Sequence, residues 1–279
     1  AWAGAVPSRR GWGVTSLGCG GIGGGGTVEQ AATYAARLGA DVTLIERDIV
    51  GGAANLWDCV PSKAMIATGG ALEQINAAAG MGLGVATPTV DLDALKSRIG
   101  EITSRLEHNV RQLLESQGVE LVRGTGRLVD DHTVVADTAE GERTFVADAV
   151  MVATGSRPRI PEWAQPDGER VLTTRDAYPP PAMPEHLVVI GSGVTGVEFV
   201  HMFASFGSQV TLIVSRQQVL PAKDPEVAAV LEEDFLRRGV RLYKGARAVG
   251  LEHTDQGIVI RCDDGRTAEG SHALLAIGS

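Results

Sequence analysis

His186-Leu-Val-Val-Ile190, Gly191-Ser-Gly193-Val-Thr-Gly196 and Val197-Glu198-Phe-Val200 follow one another directly in this chain of 279 residues. The first run is apolar and predicts a buried strand, while the glycines permit a tight turn and the third run opens a helix. In such a turn the backbone comes close to a pyrophosphate, and the helix N-terminus offers its amides and the positive end of its dipole. The stretch therefore predicts a dinucleotide-binding unit. Its expected nucleotide contacts are Gly191, Gly193, Val194, Thr195 and Gly196.

The same pattern occurs near the N-terminus. When the chain is aligned with itself without a gap, Gly23 and Gly25 fall on Gly191 and Gly193, and the third glycine position holds Val28. A register that begins two residues earlier restores the glycine spacing but lengthens the path to the second strand, and the sequence leaves both registers open. Two units of this kind predict an α/β protein with two Rossmann-like dinucleotide-binding domains.

The residue that ends the second strand of each unit bears on nucleotide choice, because it is expected to face the adenosine ribose. The first unit has Glu46, whose carboxylate can accept hydrogen bonds from ribose hydroxyls, whereas the second has Val214, which cannot. The following Ser215 and Arg216 can contact a 2'-phosphate. We therefore expect the second unit to use NADPH at least as well as NADH.

Net charge, apolar runs and cysteine content argue against several classes of protein. A net charge of -9 is unfavourable for binding nucleic acid or an anionic membrane, since both favour a basic surface. The sequence has no apolar run long enough for a membrane span and no secretory signal, so we expect a cytoplasmic location. Three scattered cysteines are too few for a disulfide scaffold or a structural zinc site, and no metal site is predicted.

Hydrophobic periodicity and clustered prolines divide the chain into two predicted domains. An amphipathic helix is predicted from Leu92 to Ser116, with Leu113 on its apolar stripe, and four short strands after it form a β-meander inserted in the first domain. Clustered prolines then mark a boundary, which gives domains at 1–158 and 159–279. The first domain needs an apolar first strand, for which only Val14 to Leu17 qualifies, and residues 1–22 are otherwise atypical.

Three further segments carry a family resemblance. They are Gly51-Gly-Ala-Ala-Asn-Leu-Trp-Asp-Cys59-Val-Pro-Ser-Lys63, Ala153-Thr-Gly-Ser156 and Ala276-Ile-Gly278. Together with the Gly191 turn, and in this order, they resemble the landmarks of FAD-dependent pyridine nucleotide-disulfide oxidoreductases. Within these flavoproteins the chain is most similar to the NAD(P)H quinone reductases of the lipoamide-dehydrogenase-like branch.

The resemblance implies FAD in the first unit and NADPH or NADH in the second. It places Glu46 at the adenosine ribose of FAD, and it pairs Lys63 with Glu198 beside the reactive end of the flavin, where a cation stabilises the reduced ring. With Cys59, these two are the candidate catalytic residues. The remaining cofactor contacts that it implies are Gly23, Gly25, Gly51, Gly52, Gly126, Thr154, Gly155, Ser156 and Gly278.

One departure from the family bears on the chemistry. A disulfide reductase of this family needs two cysteines with four residues between them, but Ala54 occupies the position that would pair with Cys59. Cys59 is then either a packed small side chain or a thiolate that touches the flavin. We expect hydride transfer from NAD(P)H to flavin and electron transfer to a quinone-like small molecule, without a disulfide relay. The alternatives are a dihydrolipoyl dehydrogenase-type disulfide reductase and a non-catalytic nucleotide-binding fragment.

Members of the family extend beyond the position that matches Ser279. The resemblance assigns that additional part to the end of the FAD domain and to a C-terminal dimerisation domain. The chain is therefore expected to be truncated, and the homodimer that the resemblance implies for full-length members is not carried over to it.

Overall fold

A computed structural model describes residues 18–84, 86 and 88–279. Contacts divide the chain into two compact units. Unit 1 runs to Asn55 and resumes over Arg105–Gly155, and unit 2 comprises Leu56–Ser104 and Ser156–Ser279. The last division point, after Gly155, lies three residues before the predicted boundary at 158. Residues 56–104, however, group with the later unit, whereas the sequence assigned them to the first domain.

The elements of the first part of the chain run from Gly18 to Val152. In chain order they are β1 (Gly18–Ile22), α1 (Gly26–Arg37), β2 (Asp41–Glu46), a π-helical segment (Ala54–Cys59), α2 (Val60–Ala78), a 3₁₀ turn (Ala79–Met81), α3 (Leu92–Ser116), β3 (Glu120–Arg123), β4 (Thr125–Leu128), β5 (Thr133–Thr138), β6 (Gly141–Val146) and β7 (Ala149–Val152). The first strand thus begins at Gly18, and the predicted strand at 14–17 lies outside the described residues.

Unit 1 contains a parallel sheet in the order β3-β2-β1-β7. Its core includes Val28 and Ala32 of α1, Val42 and Leu44 of β2, and Leu114 of α3. Strands β4, β5 and β6 form a separate antiparallel sheet. The sequence predicts four strands in the inserted meander, but only three form this sheet, because β3 pairs with β2 in the parallel sheet. The inner side chains of the three-stranded sheet pack with those of β2 and β3 in a second small cluster.

The later elements all belong to unit 2. They are β8 (Val171–Thr173), a 3₁₀ turn (Thr174–Ala177), β9 (His186–Ile190), α4 (Val194–Ser205), β10 (Gln209–Val214), α5 (Pro225–Arg237), β11 (Arg241–Lys244), β12 (Ala248–Thr254), β13 (Gly257–Cys262), β14 (Thr267–Gly270) and β15 (His272–Leu275). A parallel sheet has the order β11-β10-β9-β15-β8, and β12, β13 and β14 form an antiparallel sheet. The predicted α/β class with two parallel sheets is confirmed.

Helix α4 is largely buried against the core of unit 2. Val200 and Phe203 are fully buried and Phe206 is 9% exposed, as the sequence pattern predicts. Helix α2 packs against α4, and its Met65 is fully buried in the same core cluster. This packing explains why the segment that contains α2 groups with unit 2, although it follows the first nucleotide-binding motif in the sequence.

Helix α3 has the predicted bounds, but its apolar stripe differs by one position at the C-terminal end. Leu95 and Ile99 are buried, as expected. Leu113 is 44% exposed, whereas Leu114 is fully buried. A stripe that advances by four residues from the partly buried Val110 reaches Leu114, so the assignment of Leu113 to the buried face was wrong.

Candidate active site

The glycine turn of unit 2 is closely packed. Gly191 has a φ of 109°, which favours glycine, and a Cβ there would collide with the carbonyl oxygen of Ala276. A Cβ on Gly196 would collide with the carbonyl oxygen of Gly191. Gly193 is the N-cap of α4, and no side chain among the described residues caps this helix. The first amides of α4, which have no partner within the helix, are therefore available to an anionic ligand.

The turn of unit 1 has the same geometry in the ungapped register. Gly23 has a φ of 103°, and a Cβ there would collide with the carbonyl oxygen of Ala153, the counterpart of Ala276. Gly25 is the N-cap of α1, as Gly193 is of α4. Val28 therefore occupies the third glycine position. It is 2% exposed.

A glycine in the neighbouring strand accommodates the Val28 side chain. A Cβ on Gly21 would lie 3.1 Å from the Cγ1 atom of Val28, closer than side chains ordinarily pack. In unit 2 the matching pair is the fully buried Val189 and Gly196. The two units thus place the larger residue on opposite members of the helix–strand pair.

Further predicted contacts of unit 1 lie beside this turn. Gly51 donates its N–H to the carbonyl of Gly24 at 2.7 Å, and a Cβ on Gly52 would come within 2.5 Å of the Cα of Gly25. The Glu46 carboxylate accepts from the N–H of Gly24 at 2.5 Å and from that of Asp48 at 2.6 Å. Backbone donors therefore hold Glu46 beside the turn, at the end of its strand.

The other predicted positions of unit 1 follow strands or lie within them. Thr154 and Gly155 follow β7 after one intervening residue, and Gly155 has a φ of 66°. Gly126 lies in the meander, opposite Ala136 on β5. The structure instead brings Gly124 to the β2 end, where its N–H donates to the backbone oxygen of Glu46 at 3.0 Å.

Unit 2 contains a cavity of about 280 Å³. Predicted site residues on its wall are Cys59, Lys63, Ser156, Val194, Thr195, Glu198 and Gly278. The prediction missed other lining residues, which are Asp58, Ser62, Arg157, Pro158, Thr174, Arg175, Tyr178, Ala276 and Ser279. The cavity therefore combines the segment before α2, the start of α4 and the segments that follow β8 and β15.

An ion pair lies in this cavity wall. The Nζ atom of Lys63 is 2.7 Å from Oε1 of Glu198, and the two side chains are 60% and 26% exposed. Ser62 is 2% exposed and donates its hydroxyl hydrogen to Oε2 of Glu198 at 2.9 Å. Because α2 packs against α4, residues near the starts of the two helices meet, and both carboxylate oxygens of Glu198 have a fixed partner.

Tyr178 extends the polar side of the wall. Its ring stacks on the fully buried Phe199, with centroids 4.6 Å apart and an interplanar angle of 24°. Burial raises the pKa of the Tyr178 hydroxyl, the negative charges of Asp58 and Glu198 raise it further, and a hydrogen bond with Ser62 partly opposes them. The phenol is therefore a neutral hydrogen-bond donor at physiological pH.

Arg175 and Asp58 add two charged groups to the wall. The Arg175 guanidinium lies over the ring of Trp57, 4.9 Å from its centroid, and donates to the backbone oxygen of Ser156 at 3.3 Å. Its Nε atom is buried and has no hydrogen-bond partner among the described residues. Burial raises the pKa of Asp58, and the charge of Arg175 partly opposes that shift.

Cys59 is exposed and ends the π-helical segment, which begins at Ala54. A second cysteine, Cys262, is buried in β13, and burial raises the pKa of its thiol. Within the described ranges, no group of three or more His, Cys, Asp or Glu side chains is arranged to hold a metal ion. None of the described helices combines the length and apolar composition needed to cross a bilayer.

The positions that the sequence predicts to set nucleotide preference in unit 2 differ in burial. Val214 is fully buried in the core cluster that also contains Val219 and Phe235. Ser215 and Arg216, directly after it, are exposed. The change from an apolar core to polar solvent falls between positions 214 and 215.

Comparison with known proteins gives close relatives. The chain is 42% identical to an NAD(P)H dehydrogenase (quinone) from Mycobacterium tuberculosis, over 92% of this chain and 55% of that protein. It is 35% identical to a dihydrolipoyl dehydrogenase from Zymomonas mobilis, over 92% of this chain and 56% of that protein. The chain thus spans about half the length of the curated relatives that it matches.

Solved structures with the same fold include relatives of this chain. The structure of LpdA from Mycobacterium tuberculosis superposes with a TM-score of 0.88 at 42% identity, covering 94% of this chain and 58% of LpdA. RclA from Escherichia coli, a flavoprotein disulfide reductase, has a TM-score of 0.78 at 21% identity over 93% of this chain and 56% of RclA, which shows a shared fold alone. The family model for pyridine nucleotide-disulphide oxidoreductases matches residues 21–279. The chain belongs to the pyridine nucleotide-disulphide oxidoreductase family.

Proposed function

We propose that this chain carries the flavin and nicotinamide sites of an FAD-dependent oxidoreductase that transfers hydride from NAD(P)H to flavin and electrons to a quinone-like small molecule, without a disulfide relay. Members of the family use FAD and NAD(P)H. The observation that carries the proposal is the Lys63–Glu198 ion pair in the wall of the unit 2 cavity, with Ala54 in place of the second redox cysteine. A cytoplasmic location belongs to the same proposal, whereas a homodimer is proposed only for full-length relatives.

The turn of unit 1 is the proposed FAD site. Side chains are excluded at Gly23 and Gly52 by neighbouring backbone, so the turn offers main-chain amides rather than side chains to a pyrophosphate. Glu46, already held by two backbone donors, has the charge and position to accept from the adenosine ribose. The remaining proposed contacts of unit 1 are Gly25, Gly51, Gly126, Thr154 and Gly155. Bound FAD supplies the two-electron redox chemistry that the side chains lack.

The turn of unit 2 is the proposed NAD(P)H site. Gly191, Gly193 and Gly196 bring the backbone and the start of α4 to one point, where the helix dipole favours a phosphate. Val194, Thr195 and Gly278 are the adjoining proposed contacts. Beyond β10, the exposed Ser215 and Arg216 are suited to a 2'-phosphate, which a guanidinium binds through charge-assisted hydrogen bonds.

Lys63 and Glu198 have electrostatic roles in this proposal. The Lys63 ammonium presents positive charge to the cavity, and such a charge stabilises an electron-rich reduced ring. Glu198 keeps the ammonium in place, and the buried Ser62 fixes the Glu198 carboxylate. The lysine is thereby held before the reaction, so that little reorganisation is needed when negative charge develops.

Cys59 lies on the cavity wall but has no proposed redox step. A dithiol relay needs two sulfurs that can form a disulfide, and Ala54 removes one of them. Direct electron transfer to an acceptor in the cavity avoids this requirement. This feature distinguishes the proposal from dihydrolipoyl dehydrogenase chemistry.

The proposal is tested with the purified chain. We expect a flavin absorption spectrum that NADPH bleaches under anaerobic conditions and that menadione restores. Turnover with menadione should survive in Cys59→Ser, and lipoamide reduction should be undetectable. A chain that binds NADPH but no flavin would support the nucleotide-binding fragment instead, and collapse of menadione turnover in Cys59→Ser would reinstate a thiol in the electron path.

A further inference from the structure

Tyr178 is a polar group of the cavity wall that the proposed chemistry leaves without a role. Its ring is held by stacking on Phe199, which is fully buried and stacks in turn on Phe203 with centroids 6.2 Å apart. A ring packed in this way has little rotational freedom, so its hydroxyl has a fixed position. Packing alone would be satisfied by phenylalanine, because the stacked contacts involve the ring and not the oxygen.

The hydroxyl belongs to a chain of polar groups. Ser62 has one hydroxyl hydrogen, which it donates to Glu198 at 2.9 Å, and its oxygen lies 3.4 Å from Nζ of Lys63. Tyr178 and Ser62 both line the cavity, and their hydroxyls interact. The Tyr178 O–H can turn about its C–O bond and donate to a ligand oxygen in the cavity.

The surrounding charges indicate which kind of ligand oxygen this donor suits. Asp58 and Glu198 both raise the pKa of Tyr178, and their negative potential keeps the phenol protonated. A carbonyl oxygen can accept from such a donor, and a donor that stays protonated can stabilise negative charge that develops on that oxygen during reduction.

We propose that Tyr178 donates a hydrogen bond to a carbonyl oxygen of the quinone-like acceptor. The inference rests on the proposed function, in which NAD(P)H is the reductant. Reduction of a quinone to a hydroquinone adds two electrons and two protons. The hydride taken from NAD(P)H accounts for two electrons and one proton, and water supplies the second proton. Tyr178 keeps its own proton throughout and stabilises the charge on the oxygen.

The first test measures the contact without turnover. Menadione labelled with ¹³C at its carbonyls is bound to the oxidised, FAD-loaded chain, and its carbonyl stretching bands are recorded by infrared difference spectroscopy. A hydrogen bond to a carbonyl lowers its stretching frequency. We expect a lowered band in the unmodified chain that returns toward the free value in Tyr178→Phe. The control is Tyr243→Phe, since Tyr243 lies outside the cavity wall and donates to the Thr267 backbone oxygen.

The second test separates the two halves of the reaction. In stopped-flow measurements Tyr178→Phe should reduce its flavin with NADPH at the rate of the unmodified chain. Reoxidation of the reduced flavin by menadione should be at least about tenfold slower, as expected for loss of one hydrogen bond in the transition state. Tyr243→Phe should leave both rates unchanged. Thermal unfolding shows whether Tyr178→Phe keeps the folded structure, which we expect because the stacked ring remains.

The outcomes distinguish this inference from the proposed function. An infrared band that is identical in Tyr178→Phe and the unmodified chain overturns the contact, whatever the kinetics. A defect confined to flavin reduction by NADPH also overturns it, because the phenol would then act on the nicotinamide. An unmodified chain that binds FAD but never reduces menadione refutes the proposed function, and the infrared comparison still decides whether Tyr178 binds a carbonyl.

Discussion

The ammonium group of Lys63 lies 2.7 Å from the carboxylate of Glu198, although 135 positions separate the two residues along the chain. The pair forms because α2 packs against α4, and Ser62 fixes the second carboxylate oxygen. The Lys63 side chain is 60% exposed, so the contribution of the ion pair to stability is small. We expect Lys63 to contribute to the reaction instead, through the positive charge that it presents to a reduced ring.

Lys63→Met should therefore slow flavin reduction while leaving the fold intact. Loss of one preorganised electrostatic contact commonly costs about 3 kcal/mol, or on the order of a hundredfold in rate. Stopped-flow reduction of the FAD-loaded chain by NADPH measures this effect. Lys96→Met, a change at an exposed lysine outside the cavity wall, is the matched control and should be neutral. Equal rates of flavin reduction in the two variants would show that Lys63 has no electrostatic role in that step.

The cavity could be predicted from the sequence only in part. The Gly191 turn and α4 were recognisable because strand, turn and helix signals follow one another locally, and Lys63 and Glu198 were named through the family resemblance. Ser62 was missed although it lies in the segment 51–63 that carries the family resemblance, and Arg175 and Tyr178 were missed because they lie in no recognised motif. They reach the cavity only through the packing of α2 on α4 and the turn after β8.

Two other differences show where local patterns fail. Glu46 and Val214 occupy matching positions in the sequence, yet Glu46 bonds backbone donors beside its turn and Val214 is fully buried. An apolar side chain at the end of a strand can pack into the core. Aligning the two units by sequence position does not reveal this difference. Similarly, one register of the first glycine motif lacks the third glycine and the other lengthens the path to the second strand, and the backbone geometry at Gly23 distinguishes them.

The burial of Val214 changes the residue on which nucleotide preference is best tested. A glutamate at this position would put a carboxylate in the core, and any effect on cofactor choice would be mixed with unfolding. The exposed Arg216 avoids this problem. Arg216→Ala should weaken NADPH binding by about 1.5–3 kcal/mol, roughly tenfold to hundredfold, and leave NADH binding nearly unchanged.

Fluorescence titration of the chain with each nucleotide measures both affinities. Arg247→Ala, which removes another exposed arginine of unit 2, should change neither. A parallel loss of NADH and NADPH affinity in Arg216→Ala would mean that the guanidinium does not distinguish the 2'-phosphate.

We expect His201 to make the stability of unit 2 dependent on pH. Arg238 places a guanidinium nitrogen 2.8 Å from Nδ1 of His201, so the imidazole accepts this hydrogen bond in its neutral form. Burial lowers the pKa of His201, as does the charge of Arg238, while Glu73 and Asp234 act in the opposite direction. A group with a lowered pKa in the folded state stabilises the fold above its unfolded pKa, and that contribution is lost as the pH falls.

Acidification from pH ~7.5 to ~5.5 should therefore lower the midpoint of thermal unfolding, because the window starts near the ordinary histidine pKa. The slope is at most about 1.4 kcal/mol per pH unit for each histidine. His201→Asn keeps an acceptor for Arg238 but removes the titration, so it should reduce the slope. The exposed His108→Asn is the control. A slope unaffected by His201→Asn would assign the effect to other groups.

The reciprocal sizes of Gly21 and Val28 predict energetic coupling between strand β1 and helix α1. Val28→Gly removes a buried side chain and adds a helical glycine, which should cost about 2–4 kcal/mol. Gly21→Val places new atoms against Val28, where even a Cβ would be 3.1 Å from Cγ1, and overpacking of this kind costs about 1–3 kcal/mol.

The double variant reproduces the arrangement that unit 2 has at Val189 and Gly196. The new valine then occupies the space that the lost one vacates, so the double variant should be more stable than the sum of the single changes predicts, by at least about 1 kcal/mol. Urea unfolding of the unmodified chain, the two single variants and the double variant gives the four free energies of unfolding that this double-mutant cycle needs. FAD binding gives a second readout, because the start of α1 holds the proposed pyrophosphate site and should recover together with the packing. Additive losses would show that the two positions do not share one space, and that the turn of unit 1 tolerates Val28 by a different adjustment of the helix.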